Sequence, residues 1–255
     1  MDRSVEGEMN KFLDSGTTFA GRRSFLRAAG IGGLEVLGTA ALAGHAAASA
    51  AMTGAEAAAA AMSPNEDLMQ EHALLERVLL VYEECLSCLG RLGGRTEPAP
   101  DILSRSALIV RNFVEQYHEK LEEEHVFPRF VKAGKLTDLV AVLLEQHKSG
   151  RALTDRILAR ATPAGFADVA ARGSLTVALD RFISMYRPHA SREGSVLFPA
   201  FRDLVPAEEF AALGGMFEKR EHEILGPEGF EGQVGVVAGL EKQLGIYALS
   251  KFTPK

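Results

Sequence analysis

One segment of the chain occurs twice, and the repeat restricts what the chain can fold into more than any other feature. His118-Glu-Lys-Leu-Glu122-Glu-Glu-His-Val-Phe127-Pro128 returns 71 residues later as His189-Ala-Ser-Arg-Glu193-Gly-Ser-Val-Leu-Phe198-Pro199. In both copies a Glu follows the His by four residues and Phe-Pro closes the segment. Four residues is about one helical turn, so the imidazole and the carboxylate share one helix face. A single pair at this spacing is ordinary on a solvated helix, whereas a framed repeat of it is not. Each copy also follows a helix with a His of its own. These are His72 in Met-Gln-Glu-His-Ala-Leu-Leu and His147 in Leu-Glu-Gln-His-Lys-Ser-Gly, 46 and 42 residues ahead of the second His. The pattern predicts a duplicated helix pair, each pair offering two His and one Glu. Two such faces turned toward each other build a metal site.

The apolar spacing supports helices throughout, and no useful period-2 alternation appears. A first helix is expected from about Glu66 to Leu89, opened by Ser63-Pro64-Asn65-Glu66-Asp67 with its capping residue, first-turn proline and acids. Leu68, Leu75, Leu79 and Leu86 form its apolar stripe. A second helix runs from about Asp101 to Val131, with Ile102, Leu108, Ile109, Phe113, Tyr117 and Leu121 on its apolar side, and Gly134 ends it. The third covers roughly Leu136 to Ala161 and the fourth about Phe166 to Leu204, with Pro188 expected to kink the fourth beside His189. A shorter fifth helix follows Pro206 and ends near Leu225, carrying His222. The tail holds one amphipathic piece around Val234 to Leu244. The expected fold class is all-α: an antiparallel four-helix bundle with an appended fifth helix and a C-terminal tail.

The N-terminus reads differently. Gly21-Arg22-Arg23-Ser24-Phe25-Leu26-Arg27 opens an apolar Gly/Ala-rich run ending in Ala-Ala-Ala-Ser-Ala near residue 50, interrupted by Glu35. It resembles a twin-arginine export signal with a small-residue cleavage site. The expected organisation is a leader over 1–50, an Ala-rich linker over 51–64, a bundle over 65–225 and a C-terminal extension over 226–255. Such a leader implies the twin-arginine export machinery as a partner, a periplasmic or extracytoplasmic destination, and a protein exported already folded. His45 falls in the leader and is set aside. Net charge is −6 with no basic cluster beyond the N-terminal region, which argues against a nucleic-acid partner. Cys85 and Cys88 lie in an amphipathic helical run, away from the helix N-terminal position that lowers a thiol pKa, so they read as packing residues.

Two carboxylates and several imidazoles buried in a bundle core are costly unless something compensates them, and a pair of cations is the simplest compensation. The ligand set is too large for one tetrahedral zinc and suits two first-row ions bridged by carboxylates. A ferritin-like centre needs Glu-x-x-His on two helices, and that pattern occurs once, at Glu115 and His118. The order His, His-x-x-x-Glu, His, His-x-x-x-Glu, with Phe-Pro after each carboxylate, resembles the hemerythrin family in its HHE cation-binding branch, over about Asp67 to Leu225. The resemblance implies a non-haem di-iron centre of two iron ions held by His72, His118, Glu122, His147, His189 and Glu193, with the two glutamates bridging. It offers His222 as a further ligand. His125 is expected outside the ligand set, Glu123 and Glu124 in a solvated run. Phe113, Tyr117, Phe127, Phe182, Tyr186 and Phe198 are core aromatics that could also wall the site.

The resemblance implies a module that binds O2, NO or peroxide for sensing, carriage or detoxification, with a redox partner that the residues do not identify. Two alternatives stand beside it: a di-iron enzyme that reduces peroxide or nitric oxide by turnover, and a non-redox metal-binding bundle that acts through protein contacts. Another branch of the family repairs iron centres and carries a cysteine-bearing domain ahead of the bundle, where this chain carries the leader.

Overall fold

Capping and breaking residues divide the apolar runs into helices at the points where local chemistry requires it. The computed structural model describes residues 62–90 and 100–254. The expected leader over 1–50 and residues 51–61 of the expected linker lie outside them. Among the described residues all regular structure is helical and no strand occurs.

Helix α1 spans Pro64–Gly90. Ser63 and Glu66 close its start as a reciprocal capping box, the Ser63 amide donating to Glu66 Oε2 at 3.0 Å and the Glu66 amide to Ser63 Oγ at 3.3 Å. Helix α2 is a continuous helix over residues 100–133 and ends at Gly134, whose φ of 63° is the left-handed conformation that glycine adopts without a Cβ clash. Helix α3 is Thr137–Arg160, and α4 a single short helix, Pro163–Ala167. Helix α5 runs over residues 169–204, its start capped by the Asp168 carboxylate, which accepts from the Ala171 amide at 2.7 Å. Helices α6 (Ala207–Leu225) and α7 (Gly229–Leu244) follow, then a 3-10 turn at Leu249–Phe252. No helix among the described residues is long and apolar enough to cross a membrane.

The expected four long helices are α1, α2, α3 and α5, packed as a bundle, with α6 and α7 lying against α1 and α2. The core is one apolar cluster in which Phe113, Phe127, Phe130, Phe182, Phe198 and Phe201 are fully buried. Each such ring removed from water is worth about 1.5–3 kcal/mol. Leu108, placed on the apolar side of α2 by its spacing, is 45 % exposed instead. Cys85 and Cys88 are buried in α1. Burial first, then Cys88 and Glu84, pushes the Cys85 thiol up to about 12, the opposite of what a reactive thiol requires.

The duplication extends to helix geometry. Helix α5 continues through Pro188 as far as Arg192 without interruption, and its turn widens further on. Glu193–Leu197 is a π-helical turn, and the matching segment of α2, Glu122–Val126, is another. In each, the amide of the following Phe bonds to the carbonyl of the Glu five residues back: Phe127 to Glu122, and Phe198 to Glu193. A proline stands one residue on in each copy. Pro128 and Pro199 carry no amide hydrogen, and in an unbroken α-helix each ring would press on the carbonyl four residues earlier. A wide turn removes that clash and leaves each proline in the first turn of the next α-helical segment, where its missing donor costs nothing. Val110–His118, leading into the site on α2, is also π-helical.

Candidate metal centre

Six of the seven proposed ligands meet in the middle of the bundle. Each long helix contributes one imidazole: His72 on α1, His118 on α2, His147 on α3 and His189 on α5, all buried. Glu122 and Glu193 are completely buried one turn beyond the His on their own helices. Glu122 Oε2 lies 3.7 Å from His118 Nε2 and 3.4 Å from His147 Nε2. Glu193 Oε2 lies 3.0 Å from His189 Nε2 and 3.3 Å from His72 Nε2. Each carboxylate therefore stands between a His of its own helix pair and a His of the other pair. Two groups of donor atoms result, each drawn together within 4.8 Å: Glu122, His147, His189 and Glu193, and His72, His118 and Glu122.

These contacts are near enough for ion pairing but do not satisfy the atoms as hydrogen bonds. Both oxygens of Glu122, both of Glu193, and Nε2 of His72 and of His147 are buried with no hydrogen-bond partner. A neutral buried polar group left in that state costs about 1–3 kcal/mol, and a charged one more. Six orphaned donor atoms gathered where the four helices meet fit bound cations, which would compensate them.

The outer nitrogens are secured. His118 Nδ1 is 2.7 Å from Glu71 Oε2, His189 Nδ1 is 2.9 Å from Gln146 Oε1, and His147 Nδ1 is 3.1 Å from Glu123 Oε1. Each partner is an acceptor, so Nδ1 carries a proton and donates, which leaves Nε2 facing the centre as the nitrogen that a cation would take once its own proton is displaced. Glu71 and Gln146 are the residues just before His72 and His147, so within each helix pair the residue preceding the first His orients the second. The Phe of each Phe-Pro serves the opposite pair: Phe127 stacks on His147 at 5.5 Å between ring centroids and Phe198 on His72 at 5.2 Å. Tyr186 meets His189 edge-on at 5.4 Å and packs at a tilt on Phe182 at 4.4 Å. Of the remaining aromatics, Phe113 packs against Tyr117 and Phe230.

The carboxylates set the charge of the imidazoles. Burial pulls the His118 imidazolium down, but Glu122, then Glu71 and Glu193, more than offset it and hold its pKa at about 9. His147 is likewise depressed by burial and raised further by Glu122 and Glu123, to about 10. Burial would raise Glu193, yet His189 and then His72 hold it well below the usual carboxylate range. Glu123 also resists burial, its contacts with His147, Lys120 and Arg151 lowering it to about 2.

His222 is not among the converging side chains. It sits exposed in the last turn of α6, its Nδ1 3.3 Å from the Gly226 carbonyl, where an imidazole satisfies a helix end. Helix α6 lies outside the four-helix core and carries His222 to solvent. Glu115 is turned away as well, its Oε2 paired with Arg111 Nη1 at 2.8 Å. His125 is half-buried against Phe217, and Glu124 is exposed. Glu123 departs from its expected place in a solvated run, because its carboxylate reaches His147. Sequence reasoning also passed over Glu71 and Gln146. Their signal was an acidic or amide residue immediately before the first His of both pairs.

A helical bundle that brings four imidazoles and two carboxylates together, with no thiolate among them, is a metal-binding fold of nitrogen and oxygen donors. The chain matches the hemerythrin HHE cation-binding domain over residues 63–223 and belongs to that family. Among curated proteins it is similar to uncharacterized proteins of Mycobacterium bovis and of Mycobacterium tuberculosis strains CDC 1551 and H37Rv. Each is 48 % identical over 189 residues, covering 74 % of this chain and 73 % of the relative. No solved structure matches the chain.

Proposed function

We propose that this is an exported non-haem di-iron protein that binds a small oxidant or gas, O2, NO or peroxide, for redox sensing, carriage or detoxification. The observation that carries the reading is the set of orphaned donor atoms of Glu122, Glu193, His72 and His147 at the meeting point of four helices. Six ligands with both carboxylates between helix pairs suit two first-row ions better than one tetrahedral zinc, and family membership makes iron the first choice. When bound, iron supplies one-electron redox chemistry and a position for a small ligand. The chain's own residues would hold it: His72, His118 and Glu122 on one side, Glu122, His147, His189 and Glu193 on the other. Glu71, Gln146 and Glu123 fix the ring orientations. Phe127 and Phe198 close apolar faces over His147 and His72, which excludes water and favours a small uncharged guest over a hydrated ion. The Arg22-Arg23 leader supports export of a folded, metal-loaded protein.

The experiment is metal analysis and visible absorption of protein isolated without oxygen, before and after additions of air, NO or peroxide. Two irons per chain and a ligand-dependent absorption change that reverses on removal of the gas are expected. Continuous consumption of peroxide or NO in the presence of a reductant would move the protein to the enzymes. One zinc per chain, or no metal, would overturn the di-iron reading.

A further inference from the structure

The two halves of the duplication are not equal outside the ligands, and the excess is a single chain of contacts on one flank. Tyr186 on α5 is buried, and its hydroxyl donates to Glu119 Oε1 at 2.6 Å. Glu119 Oε2 accepts from Arg151 Nη2 at 2.7 Å, and the same nitrogen donates to Glu123 Oε1 at 2.6 Å. Glu123 Oε1 then accepts from His147 Nδ1 at 3.1 Å, while Glu123 Oε2 accepts from Lys120 at 2.5 Å. The arrangement follows from helix spacing. Glu119 and Glu123 are one turn apart on α2, and His147 and Arg151 are one turn apart on α3, so the two pairs face each other and the guanidinium bridges both carboxylates. Tyr186 ties the far carboxylate to α5. Gly150 makes room for it, since a Cβ there would lie 2.0 Å from the Tyr186 hydroxyl.

The repeat shows that the ligand set alone does not require any of this. By the register of the duplication, the counterparts of Glu119, Glu123, Arg151 and Tyr186 are Ala190, Gly194, Glu76 and Glu115. None can reproduce the chain: Ala190 and Gly194 have no polar side chain, Glu76 pairs with Arg187 at 3.5 Å, and Glu115 with Arg111. On the metal-centre reading proposed above, we infer that Tyr186 is a positioning residue: acting through Glu119 and Arg151, it fixes the Glu123 carboxylate on His147 and gives the His147–His189 side of the centre a second anchored imidazole, where the other side has the anchor of His118 by Glu71. Its consequence is inequivalence. An ion that depends on His147 is held by a ring fixed in tautomer and orientation through three helices, and outer partners of a ligating His are worth 10–100-fold in metal affinity.

The test uses the full chain with Tyr186→Phe, and with Tyr82→Phe as the control. Tyr82 is as deeply buried, but its hydroxyl has no hydrogen-bond partner, so its loss removes a hydroxyl without touching the chain of contacts. The first readout is NMR of the imidazole protons in the metal-free protein. In Y186F the His147 Nδ1 proton should exchange with solvent about tenfold faster, with those of His118 and His189 unchanged. The second is titration with cobalt(II) followed by its visible bands, where one of two binding steps should weaken 10–100-fold and the other stay within about twofold. Glu119→Gln, which keeps the shape and removes the charge facing Arg151, should act in the same direction if Y186F folds poorly. An unchanged His147 proton in Y186F, the same acceleration in Y82F, or equal movement of all three imidazoles would overturn the assignment. Wild-type protein that takes up no cobalt would defeat the metal-centre reading itself, and the imidazole exchange of the same metal-free samples still decides whether Tyr186 positions His147.

Discussion

The helix pair α1–α2 and the helix pair α3–α5 carry the same ligands in the same order, yet they surround them differently. In the first pair His118 is oriented by the carboxylate of Glu71, and in the second His189 by the neutral amide of Gln146. His147 is fully buried and gripped by Glu123, whereas the position matching Glu123 is Gly194 and His72 is 8 % exposed. The halves share the donors a cation needs, an Nε2 from each helix and a carboxylate between the pairs, and with them a π-helical turn and a Phe stacked on the opposite imidazole. What they do not share sets charge and rigidity around each ligand. On the di-iron reading, the duplication thus separates the requirement for binding metal from the adjustments that would distinguish one metal position from the other.

The comparison can be broken first at its common part. Replacing Glu122 and Glu193 together by Ala should abolish two-metal binding, read as metal per chain after loading. Retention of two ions would sink the ligand assignment. Next comes the contrast between His147→Ala and His72→Ala in metal-free protein. The first leaves a buried cavity and strips a partner from Glu122 and from Glu123, so it should cost about 3 kcal/mol, and the second, at the more exposed ring, nearer 1 kcal/mol, by denaturant titration. Equal costs would show the halves to be equivalent in rigidity.

A third effect lies in pH. With metal absent, His118 and His147 are raised to about 9 and about 10. A raised pKa contributes stability that is fully present below the ordinary imidazole value and is lost as pH rises through the folded one. The metal-free unfolding midpoint should therefore fall between about pH 6.5 and pH 10. Metal must displace those protons, so the stabilisation it adds should grow over the same window, and calorimetry in two buffers should show protons released on binding. A flat midpoint would contradict the charge assignment.

Much of this was legible in the sequence. Caps, breakers and the apolar period marked the four long helices, and a repeated His-x-x-x-Glu framed by Phe-Pro, with one His on the helix before each copy, marked six converging side chains, because helix spacing decides which side chains share a face. The other features depend on how the helices pack against each other. Nothing in the α2 sequence says that Glu123 faces α3 while Glu124 faces water, since adjacent positions of a charged run differ only in which neighbour lies opposite. His222 illustrates the limit from the other side, because a His at helical spacing in α6 reaches the core only if α6 does. The Phe-Pro pair was visible as a repeat, but its use, a wide turn that sets the ring on an imidazole of the other pair, is a backbone effect that residue spacing does not display.

Smaller changes sharpen the comparison. Phe127→Leu and Phe198→Leu each remove one ring from one imidazole and should destabilise by about 1–2 kcal/mol apiece, equally if the stacking is symmetric, by thermal unfolding. Gln146→Glu gives His189 the carboxylate partner that His118 already has. It should leave stability nearly unchanged and lower the reduction potential of the loaded centre, by spectroelectrochemistry. No shift would mean that the charge of the orienting residue is not felt at the metal.

The central claim, that the duplicated helix pairs hold two ions between Glu122 and Glu193, is tested most directly by anomalous diffraction from crystals of the iron-loaded protein. Two peaks are expected at the iron edge, one beside His72 and His118 and one beside His147 and His189, with Glu122 and Glu193 between the helix pairs in contact with the ions. A single peak, or peaks away from these six side chains, would contradict it.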